Sequence, residues 1–153
     1  MDWFNVATTL ALGALFGGML MFSAVFAPLV FTKLPMEHAG PFIRAVFPWY
    51  YLYIVVLGLL GTVLAALAGA NIWVLLPTAV VGLAGVYTRQ VLMPQINALR
   101  DRELAGDKTA AAPFNAKHRL SVAINAVQLL VAGAVLAYWA YPGNVPPVPG
   151  FVG

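Results

Sequence analysis

The sequence predicts an all-α integral membrane protein, a four-helix bundle with N- and C-termini outside. Three observations lead there. Charged side chains fall in only three places, Asp2, residues 33–44 and residues 89–119, and long uncharged apolar runs separate them. Hydrophobic residues make up 62% of the 153 residues and charged residues only 8%, against roughly 25% in a typical soluble domain. So few charges cannot cover an aqueous surface. Finally, the apolar runs are too long and too continuous for barrel strands, which alternate over about ten residues.

The first span covers about residues 4–31. At helical rise it exceeds a hydrocarbon core of roughly 30 Å, so tilt or a bend is expected, with Pro28 placed to supply the bend. Residues 33–46 read as an inner connection, in which Pro41 begins a short interfacial helix ending at Pro48. The second span is about 47–69, and Gly69-Ala70-Asn71 turns the chain into the third, about 72–92, with Pro77 about one turn in. A polar connection follows, then the fourth span at about 120–141, stopped by Pro142-Gly143. Residues 1–141 therefore form one four-span domain. Residues 142–153 form a proline-rich extracytoplasmic tail, expected to be extended.

Lys and Arg set the orientation. Lys33 and Arg44 lie in the first connection, and Arg89, Arg100, Arg102, Lys108, Lys117 and Arg119 lie in or beside the third. The positive-inside rule places both connections in the cytoplasm of a bacterium, with the chain in its inner membrane. Basic residues clustered at membrane edges argue against a nucleic-acid partner. Met1-Asp2-Trp3 lacks a basic signal region, so the first run is expected to stay as a span. Cysteine is absent, which excludes disulfides, thiolate metal sites and cysteine nucleophiles.

Small residues recur at helical spacing, Gly13 and Gly17 in the first span and Gly58, Gly61, Ala65 and Gly69 in the second. Such faces let helix backbones approach, within the bundle or between copies. Trp3, Trp49, Tyr50, Tyr51, Trp73, Tyr138, Trp139 and Tyr141 fall near span ends and read as interfacial anchors.

Three polar groups are candidates for chemistry. Glu37 and His38 form a candidate loop site, facing water or holding a proton or metal. Arg89 stands at the inner end of the third span, where its charge must snorkel or pair, with Glu37 as a partner. Phe114, His118, Ser121, Asn125 and Gln128 recur at three and four, so they form one helical stripe descending from the inner surface. Gln128 lies about 13 Å below Arg119. With Arg89 at its mouth, the stripe reads either as the wall of a cytoplasm-facing polar pocket or as hydrogen-bonding glue between helices.

Familiar catalytic signatures are missing, and no enzyme activity is expected. No cofactor is predicted, although a haem held by His38 and His118 is conceivable. The partners expected are the lipid bilayer and other membrane helices, including those of a second copy. The leading function is an accessory or scaffold protein acting through helix contacts. A small-solute transporter or exporter is the alternative, and a haem or metal redox protein the second.

A set of weak motifs in order carries a resemblance: Phe26-Ala27-Pro28, Phe31 with Leu34-Pro35, Ala39-Gly40, Phe47-Pro48, Tyr50-Tyr51, Pro94 with Asn97 and Arg100, then Phe114, His118, Ser121 and Asn125. Together they resemble the transmembrane-protein-205-like family, a DUF4149-like four-helix membrane domain of unknown function. The resemblance implies the four-span fold and no established reaction. It supplies no catalytic residues.

Overall fold

Proline has no backbone N–H to donate, and two prolines shape the first and third helices. In the computed structural model of the chain, which describes residues 3–141 and 143–146, four long helices follow one another. They are α1 Trp3–Lys33, α2 Met36–Leu67, α3 Ile72–Leu104 and α4 Lys108–Ala140, each long and apolar enough to cross a membrane. No strand occurs among the described residues. The protein is an all-α integral membrane four-helix bundle.

α1 is α-helical over Trp3–Met21, widens into a π turn over Phe22–Phe26 and resumes as an α-helix over Ala27–Lys33. α3 repeats the plan with Ile72–Tyr87, a π turn over Thr88–Leu92, and Met93–Leu104. Each π turn closes one residue before a proline: Ala27 N–H donates to Phe22 O ahead of Pro28, and Met93 N–H to Thr88 O ahead of Pro94. The extra residue shifts the bonding register, so both prolines stand in the first turn of the segment that follows. There a missing donor is tolerated. At Pro28, where a bend was expected, the helix carries a widened turn just before the proline.

The helices also run further than the apolar spans. α2 begins at Met36 and passes through Pro41 and Pro48 without a break, so the short interfacial helix expected over residues 41–48 is part of one continuous helix. Only Leu34 and Pro35 connect it to α1. The two prolines remove the donors to Glu37 O and Arg44 O, near the basic end of α2, where water and headgroups can solvate a freed carbonyl. α3 continues past Leu92 to Leu104, and its last segment, Met93–Leu104, has no buried residue. Nothing forbids a helix from continuing once it leaves the hydrocarbon.

Glycines close two of the helices. At Gly69 (φ +77°) Ala70 N–H donates to Ala65 O and Gly69 N–H to Ala66 O; at Gly106 (φ +96°) Asp107 N–H reaches Arg102 O and Gly106 N–H reaches Glu103 O. Both arrangements need a left-handed residue, which glycine supplies. Asn71 then caps α3, its side chain accepting from Trp73 N–H at 3.0 Å. Asp107 caps α4, accepting from Thr109 N–H at 2.9 Å.

The helices pack in a ring, α1 on α2, α2 on α3, α3 on α4 and α4 on α1. α2 and α3 come close enough at their glycines that a Cβ on Gly58 would lie 2.7 Å from Gly82 Cα. Gly18 leaves room for the ring of Tyr53, whose hydroxyl donates to Ala14 O and ties α2 to α1. Leu12, Leu15, Met19, Ile54, Val74 and Val81 fill the centre. Leu10, Leu67, Leu83 and Leu130 point outward, as lipid contact requires.

Trp3, Trp49, Trp73 and Tyr141 are exposed, as anchors should be. Tyr50, Tyr51 and Trp139 are not: all three are buried, Trp139 fully so at 0% exposure. α2 starts eleven residues before the expected span (residue 36 rather than 47), which puts the two tyrosines well inside the helix. Of the tail, only Gly143–Pro146 is described. Asn144 Nδ2 donates to Tyr138 O, and Pro146 O accepts from Asn5 Nδ2. The remainder of the expected extended tail lies outside the described residues.

Candidate functional site

The π turn of α1 presents Ser23 toward the bundle interior. Asn125 of α4 donates from Nδ2 to Ser23 Oγ at 2.9 Å, and its Oδ1 accepts from the Tyr50 hydroxyl at 2.6 Å. One amide therefore joins three helices, and both of its ends are engaged. The Phe22 ring stacks on Tyr50 with centroids 3.8 Å apart. Tyr51 is beside Ser121, whose hydroxyl donates back to His118 O at 2.7 Å.

The stripe predicted along α4 is present in space. Phe114 and His118 stack at 5.9 Å near its entrance, Ser121 is buried, Asn125 is half-buried, and Gln128 is 3% exposed. Gln128 Nε2 donates to Val81 O of α3 at 2.9 Å, while Oε1 has no partner. Its side chain also lines an apolar groove of about 330 Å³ between α3 and α4, with Val81, Ala84, Ile124 and Val131.

Arg89 occupies the other π turn. It does not meet Glu37, as the sequence reading expected; Nε donates to Pro48 O of α2 at 3.1 Å. Glu37 instead faces its neighbour His38, Oε1 to Nε2 at 3.5 Å, and both side chains are open to solvent. The helix that begins at Met36 keeps this pair in its first turn. His118 is exposed and stacked on Phe114.

Ion pairs cover the basic end. Arg44 grips Asp101 with two bonds of 2.5 and 2.8 Å, linking α2 to the projecting end of α3. Arg100 pairs with Glu103 at 2.6 Å and lies 5.4 Å from the Phe114 ring centroid. Arg102 pairs with Asp107 at 2.6 Å. Hydrogen bonds from Thr109, then from Arg102, hold the Asp107 carboxyl below the usual carboxylate range.

Sequence reasoning missed Ser23 and the inward role of Tyr50. It also missed a polar cluster at the end of the bundle that holds the termini, where Trp139 Nε1 donates to Thr9 Oγ1 at 2.9 Å and Asn71 Nδ2 to the Tyr138 hydroxyl at 2.9 Å. Ser23 is an isolated hydroxyl deep in an apolar run, the one available signal. Among the described residues no group of three or more His, Cys, Asp or Glu gathers to hold a metal ion.

The family described as "Domain of unknown function (DUF4149)" matches residues 10–105. That stretch runs from α1 through the end of α3 and includes both π turns with their prolines. No curated protein and no solved structure matches the chain.

Proposed function

The chain belongs to the DUF4149 family, and from that premise we propose that it is a multi-pass protein of the bacterial inner membrane, termini outside, working as an accessory or scaffold through helix contacts. The observation that carries this reading is an open small-residue face. A Cβ added at Gly13 or Gly17 would meet nothing within 4 Å, whereas one at Gly58, Gly82 or Gly133 would strike a neighbouring helix. With Leu10, Ala14 and Met21, which are exposed, exposed Gly17 and half-buried Gly13 form one stripe on α1. In lipid such a face associates through close packing.

The interior polar groups favour the same reading over transport. Asn125 spends both ends of its amide on Tyr50 and Ser23. A solute would have to displace these bonds.

The chain has no cysteine, so single cysteines test both parts of the proposal. Leu10→Cys and Gly17→Cys are expected to form cross-links in native membranes, to a second copy or to another membrane protein. Gly13→Leu with Gly17→Leu should abolish those formed through Leu10→Cys. A lone monomer under all conditions would remove the scaffold reading. Reagent access at Lys33→Cys and Asn144→Cys from opposite sides of the inner membrane tests the orientation.

A further inference from the structure

The guanidinium of Arg89 is held from one side only. Nε donates to Pro48 O, while the two Nη groups meet no partner among the described residues. Every described carboxylate is engaged elsewhere: Glu37 with His38, Asp101 with Arg44, Glu103 with Arg100, Asp107 with Arg102. Arginine does not shed its charge. A half-buried guanidinium at the end of an apolar span must reach water or pair with an anion, and no carboxylate among the described residues is left to supply one.

Depth indicates which anion. At helical rise Arg89 stands about 26 Å beyond Ile72, close to the roughly 30 Å thickness of a hydrocarbon core. Trp73 is exposed at the far end of α3, and Trp49, adjoining the carbonyl that Arg89 holds, is 72% exposed. Tryptophans so placed mark the two membrane boundaries. The unused Nη groups stand at the second boundary, where phosphates of the lipid headgroups lie. A guanidinium fork matches two oxygens of one phosphate.

We infer that Arg89, braced by Pro48, binds the phosphodiester of a phospholipid in the leaflet at the basic end of the bundle, with Trp49 against the glycerol region. The bound lipid seals the α2–α3 seam at its charged edge. The site depends on a fork as well as on charge, because Nε must stay on Pro48 while the Nη groups face the phosphate.

The test uses the full chain, delipidated in detergent and titrated in parallel with phosphatidylglycerol, a galactolipid with the same acyl chains, and inorganic phosphate. Native mass spectrometry counts adducts, and thermal unfolding reports stabilisation. Wild type is expected to retain phosphatidylglycerol and be stabilised by it. Arg89→Lys and Arg89→Gln should bind about ten-fold more weakly, as loss of a charged hydrogen bond predicts. Arg119→Gln, which loses only a 3.4 Å contact to Asn115 O, should match wild type. Equal retention by Arg89→Lys would overturn the proposal. So would equal stabilisation by the galactolipid, or by inorganic phosphate without a lipid adduct, which would make the site a free-anion site. If Arg89→Gln fails to fold, Arg89→Lys and the three wild-type titrations still decide.

Discussion

The Tyr50 hydroxyl donates to Asn125 Oδ1 across the diagonal of the bundle, from α2 to α4, at 2.6 Å. The two helices are not ring neighbours, so this bond and its continuation to Ser23 tie together elements that side-to-side packing leaves apart. In a membrane, hydrogen bonds between helices contribute about 0.6 kcal/mol on average and at most about 1.7 kcal/mol.

Asn125→Leu removes two such bonds and strands the hydroxyls of Tyr50 and Ser23. It is expected to lower stability by about 1–3 kcal/mol, read from unfolding in detergent. Tyr50→Phe alone should cost less, because Asn125 keeps Ser23. The double variant should lose clearly less than the sum of the two. Strict additivity would show that the three side chains do not act as one network.

The glycines separate into two kinds that sequence spacing does not distinguish. A methyl group at Gly58 would press on the Gly82 backbone at 2.7 Å, and neither main chain can yield without parting α2 from α3. Gly58→Ala is expected to destabilise the bundle by about 1–3 kcal/mol. Gly13→Ala meets open space and should leave the monomer's unfolding midpoint unchanged or slightly raised. Equal losses at the two sites would contradict the α2–α3 contact described above.

Pro94→Ala tests the π turn. Restoring the N–H removes the reason for the widened turn over Thr88–Leu92, so α3 is expected to tighten into an α-helix and rotate everything beyond it by one residue. Arg44 would then no longer face Asp101, nor Lys117 face Gln95. A short bismaleimide should join Arg44→Cys to Asp101→Cys in the parent chain and fail to do so in the Pro94→Ala background. Undiminished cross-linking would mean that packing, not proline, sets the turn.

The bundle was legible in the sequence because the bilayer imposes it: charges segregate, and uncharged runs must span. The ends of the helices were less legible. Hydropathy marks where lipid stops, while α2 starts at Met36, just after Pro35, and α3 stops at Leu104, just before the left-handed Gly106. That difference misassigned Tyr50 and Tyr51, which look terminal in an apolar window and are interior in the helix. The stripe through Ser121, Asn125 and Gln128 was legible from its three-and-four spacing. Its partners were not, because Ser23 reaches Asn125 from a π turn, and a lone serine carries no periodic signal.

Asp107 offers a pH test at the turn between α3 and α4. Its carboxylate accepts from Thr109 N–H and Oγ1 and pairs with Arg102, and these bonds lower its pKa. A lowered folded-state value means that the contribution is complete above the unfolded carboxylate range, near ~3.9, and is lost as pH falls through the folded value. Amide exchange at Thr109 and Ala110, corrected for the intrinsic pH dependence of exchange, should therefore show constant protection down to about pH 4 and decline only in stronger acid. Asp107→Asn keeps an oxygen for the cap but cannot ionise. Its protection should be lower at neutral pH and should not change through the acid range. A decline in the wild type already beginning near neutrality would assign the effect to another group.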